Sequence, residues 1–107
     1  MPRLSDDGST VTLDLHGARV EEALALVRRV IDAARVRGRS AVRVVHGAST
    51  SDPLTRNRTI KHALYDELDD GGLPGITDAI RFEGETLLSL PPGAPRNPSR
   101  LRLLDLR

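Results

Sequence analysis

The sequence predicts a single α/β domain with the order strand, helix, strand, helix, strand, strand. We expect this βαβαββ chain to form a two-layer sandwich, with two helices packed on a mostly parallel sheet. Three observations support the prediction. The 107 residues are enough for one core. Along the chain, segments of alternating polarity are followed by segments of helical periodicity. Strands joined by a helix are normally parallel, with a right-handed crossover.

The first half of the domain is predicted to contain a strand, a helix and a second strand. Residues 11–16 alternate between apolar and polar side chains, which predicts a strand with one buried face. Residues 20–37 carry apolar side chains at helical spacing, with acidic residues in the first turn and Gly38 as the stop. Residues 41–45 are a short β-branched run and predict the second strand.

The second half is predicted to contain a helix followed by a hairpin. Asp52 as N-cap and Pro53 at the first helical position begin a helix that runs to about residue 69. Residues 76–82 and 86–90 predict two strands, because the three residues between them, with a central glycine, suit a hairpin turn.

The domain is predicted to span residues 11–90, with a flexible lead before it over residues 1–10. The tail that follows, residues 91–107, is rich in proline at its start and in leucine at its end. Three roles for this tail stay open: it adds an edge strand, it binds a partner, or it remains loose.

The composition excludes several classes of function. The chain has no cysteine, which excludes disulfides, thiol catalysis and cysteine-ligated zinc. This fits a reducing compartment, and we expect a cytoplasmic protein. One Phe, one Tyr and no Trp leave little material for base stacking on aromatic platforms. The polar N-terminus and the short apolar runs predict neither a signal peptide nor a membrane span.

The charge is unevenly distributed, although the net charge is only +1. Between residues 28 and 62, nine basic residues stand against two acidic ones, a balance of +7, so the rest of the chain carries −6. One interpretation is a one-sided basic surface that contacts phosphates. The other is a solvated helix face in a protein whose basic residues are almost all arginine. Both interpretations stay open.

Polar residues at the ends of the first two strands form the candidate site. Asp14 and His16 are two apart in a strand and share a face, where a carboxylate can fix the tautomer of an imidazole and raise its basicity. His46 ends the next parallel strand, and the carboxyl ends of parallel strands meet at one edge. Gly17 and Gly47 allow sharp turns and a close approach of phosphate to main-chain N–H groups. Each residue is ordinary alone, but together they predict a functional rim.

Two motifs in these segments carry a family resemblance. The run LDLHG at residues 13–17, followed by VEEAL at residues 20–24, resembles the opening signature of Smr (small MutS-related) domains. The run VVHG at residues 44–47 resembles the second signature of that family. The resemblance covers roughly residues 11 to 90. It implies a sheet with two helices packed on it, similar to the C-terminal domain of bacterial translation initiation factor three.

The resemblance also implies nucleic-acid binding and, in many members, cleavage of RNA or nicking of DNA. Asp14, His16 and His46 are then the catalytic candidates. The family usually continues its second signature with Lys-Gly, whereas this chain has Ala48 and Ser49, so a weakened or non-cleaving member is an alternative. The residues predicted to contact phosphate are Gly17, Gly47, Arg43, Arg56, Arg58 and Lys61.

Three functions follow as hypotheses. The first is an endonuclease: RNA carries its own nucleophile, the 2′-hydroxyl, so His16 and His46 acting as base and acid need no metal or other cofactor. Nicking of DNA needs an activated water, for which a divalent metal held by Asp14, His16 and His46 is the alternative. The second is a nucleic-acid-binding module without catalysis, and the third a protein-interaction domain that uses the leucine-rich tail. The ribosome and the DNA-repair machinery stay open as larger partners.

Overall fold

The computed structural model, which describes residues 2–47 and 59–106, places two α-helices against one five-stranded sheet. The start predicted for the second helix, at Asp52 and Pro53, lies outside the described residues. In chain order the elements are β1 (Arg3–Asp6), β2 (Thr10–Asp14), α1 (Val20–Val36), β3 (Ala41–Val45), α2 (Ile60–Asp70), β4 (Asp78–Arg81), β5 (Glu85–Ser89) and a short 3-10 helix (Leu103–Leu106).

The sheet has the order β1-β2-β3-β5-β4, with one parallel pair, β2–β3, and three antiparallel pairs. The prediction of a mostly parallel sheet is therefore wrong, whereas the α/β class with two helices is confirmed. The hairpin is the reason. Strands β3 and β4, joined through α2, run in the same direction, but β5 turns back and inserts between them. A hairpin strand is antiparallel to both neighbours, so no parallel β3–β4 contact forms.

In place of a flexible lead, the N-terminal segment forms strand β1, which pairs with β2 and sets Arg3 opposite Asp14. The connection between the two strands is held by Asp7. Its Oδ1 accepts the N–H groups of Ser9 and Thr10 at 2.8 and 2.7 Å. These two hydrogen bonds hold the pKa of the Asp7 carboxyl below its ordinary value. Because this tight turn folds the chain back along β1, the short polar N-terminal segment becomes an edge strand of the sheet.

The two helices cover one face of the sheet. Alternate strand residues point into this layer and are buried together with one stripe of α1. The opposite face, which we call the open face, carries partly exposed or exposed residues such as Thr12 and Arg43. The buried apolar residues are Val11, Leu13, Leu15, Ala23, Leu24, Val27, Val30, Ile31, Ala34, Val42, Val44, Ala63, Leu64, Leu73, Leu88, Leu90 and Leu101.

The two helices start differently, because the N-cap residue of α1, Arg19, makes no side-chain cap hydrogen bond, whereas that of α2 does. Helix α1 starts at Val20 with Glu21 and Glu22 in its first turn, where acidic charge suits the helix dipole. The described part of α2 starts after Thr59, whose hydroxyl accepts the N–H of His62 at 3.2 Å. Within the described parts of the chain, no helix is long and apolar enough to cross a membrane.

A buried ion pair lies where β3 begins. The side chains of Arg39 and Asp6 are fully buried and form a bidentate pair, with Nε–Oδ1 at 2.8 Å and Nη2–Oδ2 at 2.9 Å. The other guanidinium hydrogens are donated to the carbonyl oxygens of Arg37, Asn97 and Ser99. All five donors of the guanidinium are therefore satisfied.

The same ion pair fastens the tail. Asp6 also accepts the N–H groups of Gly8 at 2.9 Å and Leu101 at 2.7 Å. Burial alone would raise the pKa of Asp6, but the hydrogen bonds from Arg39, Leu101 and Gly8 outweigh it and hold this pKa below its ordinary value of 3.8. Leu101 is buried, and Leu103 packs against the core. The described tail is thus packed on the fold without forming a strand, and partner binding by it stays a prediction.

Candidate functional site

The candidate site is the sheet edge at which the parallel strands β2 and β3 end. Asp14 and Val45 are register partners there, and the N–H of Leu15 donates to the carbonyl of Val45 at 3.0 Å. A shallow cavity of about 250 Å³ opens at this edge. We call the residues that line it the rim: Asp14, His16, Val45, His46 and Gly47. The structure thus brings the three predicted catalytic residues together, while the role of each stays a prediction.

Asp14 contacts the main chain of His16. Its Oδ1 accepts the His16 N–H at 3.0 Å, and among the described residues no hydrogen bond joins this carboxylate to the imidazole. Gly17 then turns the chain with a φ of 82°, a backbone conformation that glycine adopts readily. Asp14 therefore shapes the turn after β2, and the predicted contact that would fix the tautomer of the ring is not made.

His46 is buried, and both of its ring nitrogens are bonded within the protein. Nδ1 lies 2.8 Å from the carbonyl oxygen of Gly47, and Nε2 lies 2.9 Å from Oγ1 of Thr86. A carbonyl only accepts, so Nδ1 carries the proton and Nε2 accepts from the Thr86 hydroxyl. The ring also meets the edge of Tyr65 of α2, with centroids 6.1 Å apart. The His46 ring therefore lies on the helix side of the sheet, whereas Asp14 lies on the open face.

The surroundings of His46 favour its neutral form. Burial lowers its pKa below the ordinary value of 6.5, and the positive charge of Lys61 adds to the lowering. The carbonyl of Gly47 and the carboxylate of Glu85 oppose this shift without reversing it. His46 is therefore neutral at pH 7 and links β3 to β5. To transfer a proton, it would first have to give up one of these hydrogen bonds.

His16 differs from His46 because it is exposed at the same cavity. The main-chain group predicted to bind phosphate beside it is already used. The N–H of Gly47 donates to the carbonyl of Gly84 at 2.9 Å, and the N–H of His46 shares that acceptor at 3.2 Å. Gly47 has a φ of 83°, so glycine is needed here for the conformation of the turn.

The side chains predicted to bind phosphate are only partly placed at the rim. Lys61 lies close enough to His46 to lower its pKa. Arg43 lies on the open face, where its Nε is 3.1 Å from Oε2 of Glu85. Arg56 and Arg58 lie outside the described residues.

Most basic residues that the structure describes between positions 28 and 62 form ion pairs with acidic side chains. Four of the five acidic partners come from outside that segment, so the negative charge of the rest of the chain folds back onto it. These contacts do not favour a one-sided basic surface over this part of the chain. The pairs are Arg28–Glu67, Arg35–Asp32, Arg37–Asp105, Arg39–Asp6 and Arg43–Glu85.

DNA nicking by an activated water would require a metal site at the rim. Within residues 2–47 and 59–106, no group of three or more His, Cys, Asp or Glu side chains is arranged to hold a metal ion. Oδ1 of Asp14 and both ring nitrogens of His46 are bonded to protein atoms. The described residues therefore contain no preformed ligand set of the kind that this alternative requires.

Three residues that support the rim were missed by the sequence analysis: Gly84, Thr86 and Tyr65. Gly84 and Thr86 belong to the β4–β5 hairpin, and they reach the rim because β5 pairs with β3. A weak signal existed for Thr86, which occupies an inward position of β5 in a row with Leu88 and Leu90. A buried threonine in a row of leucines indicates a hydroxyl with a specific partner.

Comparison with known proteins agrees with the two motifs. The Smr domain model matches residues 13–75. An endonuclease MutS2 of Levilactobacillus brevis is 39% identical over 77 residues, covering 65% of this chain and 10% of the relative. Similar proteins of the same name occur in Pediococcus pentosaceus, at 40% identity over 77 residues, and in Bacillus thuringiensis, at 33% over 75 residues. The chain spans about a tenth of the length of these relatives. No solved structure matches the chain, so the likeness to initiation factor three stays a prediction.

Proposed function

The chain belongs to the Smr domain family, and from this premise we propose that it is an endonuclease that cleaves RNA at the rim. The observation that carries the proposal is the position of His16, which is exposed at the cavity that the two signature segments build together. The similarity to proteins named endonuclease MutS2 supports the nuclease class.

His16 is the proton-transferring residue in this proposal. Its imidazole takes the proton of an RNA 2′-hydroxyl, and the 2′-oxygen attacks the adjacent phosphorus. The new O2′–P bond forms as the P–O5′ bond breaks. The leaving 5′-oxygen takes up the proton that His16 removed, directly or through solvent. The products are a 2′,3′-cyclic phosphate and a free 5′-hydroxyl.

The other rim residues position this group. Asp14 holds the main chain of His16 through its N–H. His46, neutral and bonded on both sides, fixes Gly47 and links β3 to Thr86 of β5. The exposed turn at Gly17 and the charge of Lys61 contribute to phosphate binding. Catalysis thus depends on one exposed histidine supported by one bonded histidine, instead of two equivalent partners.

The test is a cleavage assay on single-stranded RNA with the wild-type chain and His16→Ala. We expect the variant to lose at least about a hundredfold in rate, because general acid–base catalysis contributes about that much or more. The products should carry cyclic phosphate ends, and the activity should persist in EDTA. His62→Ala is the matched control, because His62 is an exposed histidine of α2 that does not line the rim cavity.

Equal rates for wild type and His16→Ala would overturn the role of His16. An absence of RNA cleavage by the wild type would overturn the nuclease proposal itself. Nicking of duplex DNA that EDTA abolishes, with RNA left intact, would point to the metal-dependent alternative.

The binding module without catalysis is a second candidate, and the bonding of His46 favours it. Both ring nitrogens of that histidine are occupied, so among the described residues the exposed imidazole of the rim is that of His16. In this case the wild type and His16→Ala would bind RNA with the same affinity, neither would cleave it, and binding would weaken steeply with salt.

A further inference from the structure

The tip of the β4–β5 hairpin is hydrogen-bonded to the rim. The tip closes through a hydrogen bond from the N–H of Phe82 to the carbonyl of Glu85 at 2.8 Å. Between them, the carbonyl of Gly84 accepts the N–H groups of His46 and Gly47. The position of Phe82 is therefore fixed relative to the cavity by main-chain hydrogen bonds.

The chain's single phenylalanine is exposed at this tip. Phe82 has 49% of its surface accessible, although burying a phenyl ring is favourable. An isolated exposed apolar residue is common and needs no explanation by itself. The position of Phe82 beside the rim is the reason to consider a function for it.

The strand register places Phe82 on the same face of the sheet as Asp14. Asp14, Val45 and Glu85 are successive register partners across β2, β3 and β5, and Phe82 lies opposite Glu85. The preceding residue, Arg81, points to the helix side, since its guanidinium lies 4.5 Å from the Tyr65 ring centroid. Alternation along a strand then puts Phe82 on the open face. With strands about 4.8 Å apart, Phe82 and Asp14 are roughly 14 Å apart.

The contacts of this segment hold its backbone and leave the Phe82 ring exposed. The hydroxyl of Tyr65 donates to the carbonyl of Phe82 at 3.3 Å. Arg81 is held by Asp69 at 2.7 Å. Glu85, which would repel a phosphate on this face, is paired with Arg43. Phe82 is therefore an exposed aromatic ring on a supported backbone, next to a carboxylate with a positive partner.

We propose that Phe82 stacks on an unpaired base of the strand whose phosphate is bound at the rim. This inference rests on the proposed nuclease function and names its substrate class, a single strand with at least one unstacked base. A phenyl ring stacks on any base, so the contact adds affinity and position without base preference. The base would lie about three strand spacings from Asp14, so Phe82 binds a nucleotide beside the one that is cleaved.

The test measures binding separately from cleavage. The probe is a single-stranded 2′-O-methyl RNA of about ten nucleotides, which lacks the free hydroxyl that the reaction needs. Phe82→Ala should bind it about tenfold more weakly than the wild type, and Phe82→Trp at least as tightly as the wild type. Phe82→Leu keeps the apolar character without the aromatic face and should behave like Phe82→Ala.

A set of abasic oligonucleotides supplies the sharper comparison. Removal of the base that stacks on Phe82 should weaken wild-type binding about tenfold and leave Phe82→Ala binding unchanged. Val36→Ala is the control, because Val36 is 76% exposed at the far end of α1. It should bind like the wild type.

The outcomes separate this inference from the proposed function. If wild type and Phe82→Ala respond equally to every abasic position, or if Phe82→Leu binds like the wild type, stacking is overturned while cleavage can still stand. If the wild type binds the probe as predicted but cleaves no RNA, the nuclease proposal fails and the stacking contact stands. If the wild type does not bind the probe, the stacking proposal fails directly.

Discussion

The two ends of β3 use ionisable residues in opposite ways. Where the strand begins, Arg39 and Asp6 are fully buried and every guanidinium donor has an acceptor. Where the strand ends, His46 is bonded through both ring nitrogens, but His16 of the neighbouring segment is exposed. At the first end, the hydrogen-bonding groups of the Arg39–Asp6 pair are all satisfied. The second end leaves one titratable ring open to solvent.

This difference separates residues that hold the fold from a residue that can act on a ligand. Burying a charge is unfavourable unless all of its partners are present, so a saturated pair such as Arg39–Asp6 belongs to stability. A group that transfers protons needs access to its substrate, and of the two rim histidines only His16 has it. Exposure and hydrogen bonding, and not residue type, thus decide which ionisable residues at the two ends stabilise the fold and which one can act on a ligand.

The largest effect on stability is expected from breaking the buried Arg39–Asp6 pair. Arg39→Met removes the partner of a buried carboxylate and takes one donor away from each of three carbonyl oxygens, so we expect a loss of about 3–5 kcal/mol in the free energy of unfolding. Arg43→Met is the matched control, since it breaks a pair whose side chains are 50% and 35% exposed. That change should cost less than about 1 kcal/mol. Urea denaturation measures both, and equal losses would contradict the comparison.

The sequence predicted the elements whose signal lies within the segment itself. The periodicity of residues 20–37 predicted α1, and the β-branched run at residues 41–45 predicted β3 with its observed bounds. The insertion of β5 between β3 and β4 was not predictable in this way. It depends on which strand pairs with β3, a choice made between segments about 40 residues apart.

The same distinction applies to the candidate site. The motifs placed Asp14, His16 and His46 at one rim because parallel strands share an edge. They could not predict that His46 is tied to Thr86, or that Asp14 contacts a main-chain N–H. These contacts depend on backbone geometry and on the partner strand. The Arg39–Asp6 pair was missed for the same reason, because its two members are 33 positions apart.

An intermediate effect is expected from the bonded histidine of the rim. The pKa of folded His46 lies below 6.5, so the unfolded chain binds this proton more readily. The contribution to stability is complete above about pH 6.5 and is lost as the pH falls from there through the folded pKa. His46→Gln should cost about 1–3 kcal/mol near neutral pH, because one amide does not replace both ring hydrogen bonds, to the Gly47 carbonyl and to the Thr86 hydroxyl. It should also remove this pH dependence.

Urea denaturation at several pH values between about 7.5 and 5 checks both effects. The control is His62→Gln, since His62 is an exposed histidine of α2. It should leave the slope of stability against pH close to that of the wild type. Parallel slopes for the wild type and His46→Gln would mean that the buried ring does not carry the pH dependence.

The smallest effect is expected where the open face carries its exposed ion pair. Glu85→Gln releases Arg43 from its carboxylate partner and removes a negative charge beside Phe82. The free energy of unfolding should change by less than about 1 kcal/mol. If the proposed strand crosses this face, its affinity should rise a few-fold, and the slope of log affinity against log salt should steepen by about 0.7, the value for one more phosphate contact on a single strand. Fluorescence anisotropy with the 2′-O-methyl probe at several salt concentrations measures both quantities.

Glu67→Gln is the control for net charge alone, because it frees Arg28 between α1 and α2. An equal gain from both variants would mean that Arg43 makes no specific contact, and the strand would then have to reach Phe82 by a path that avoids the centre of the open face.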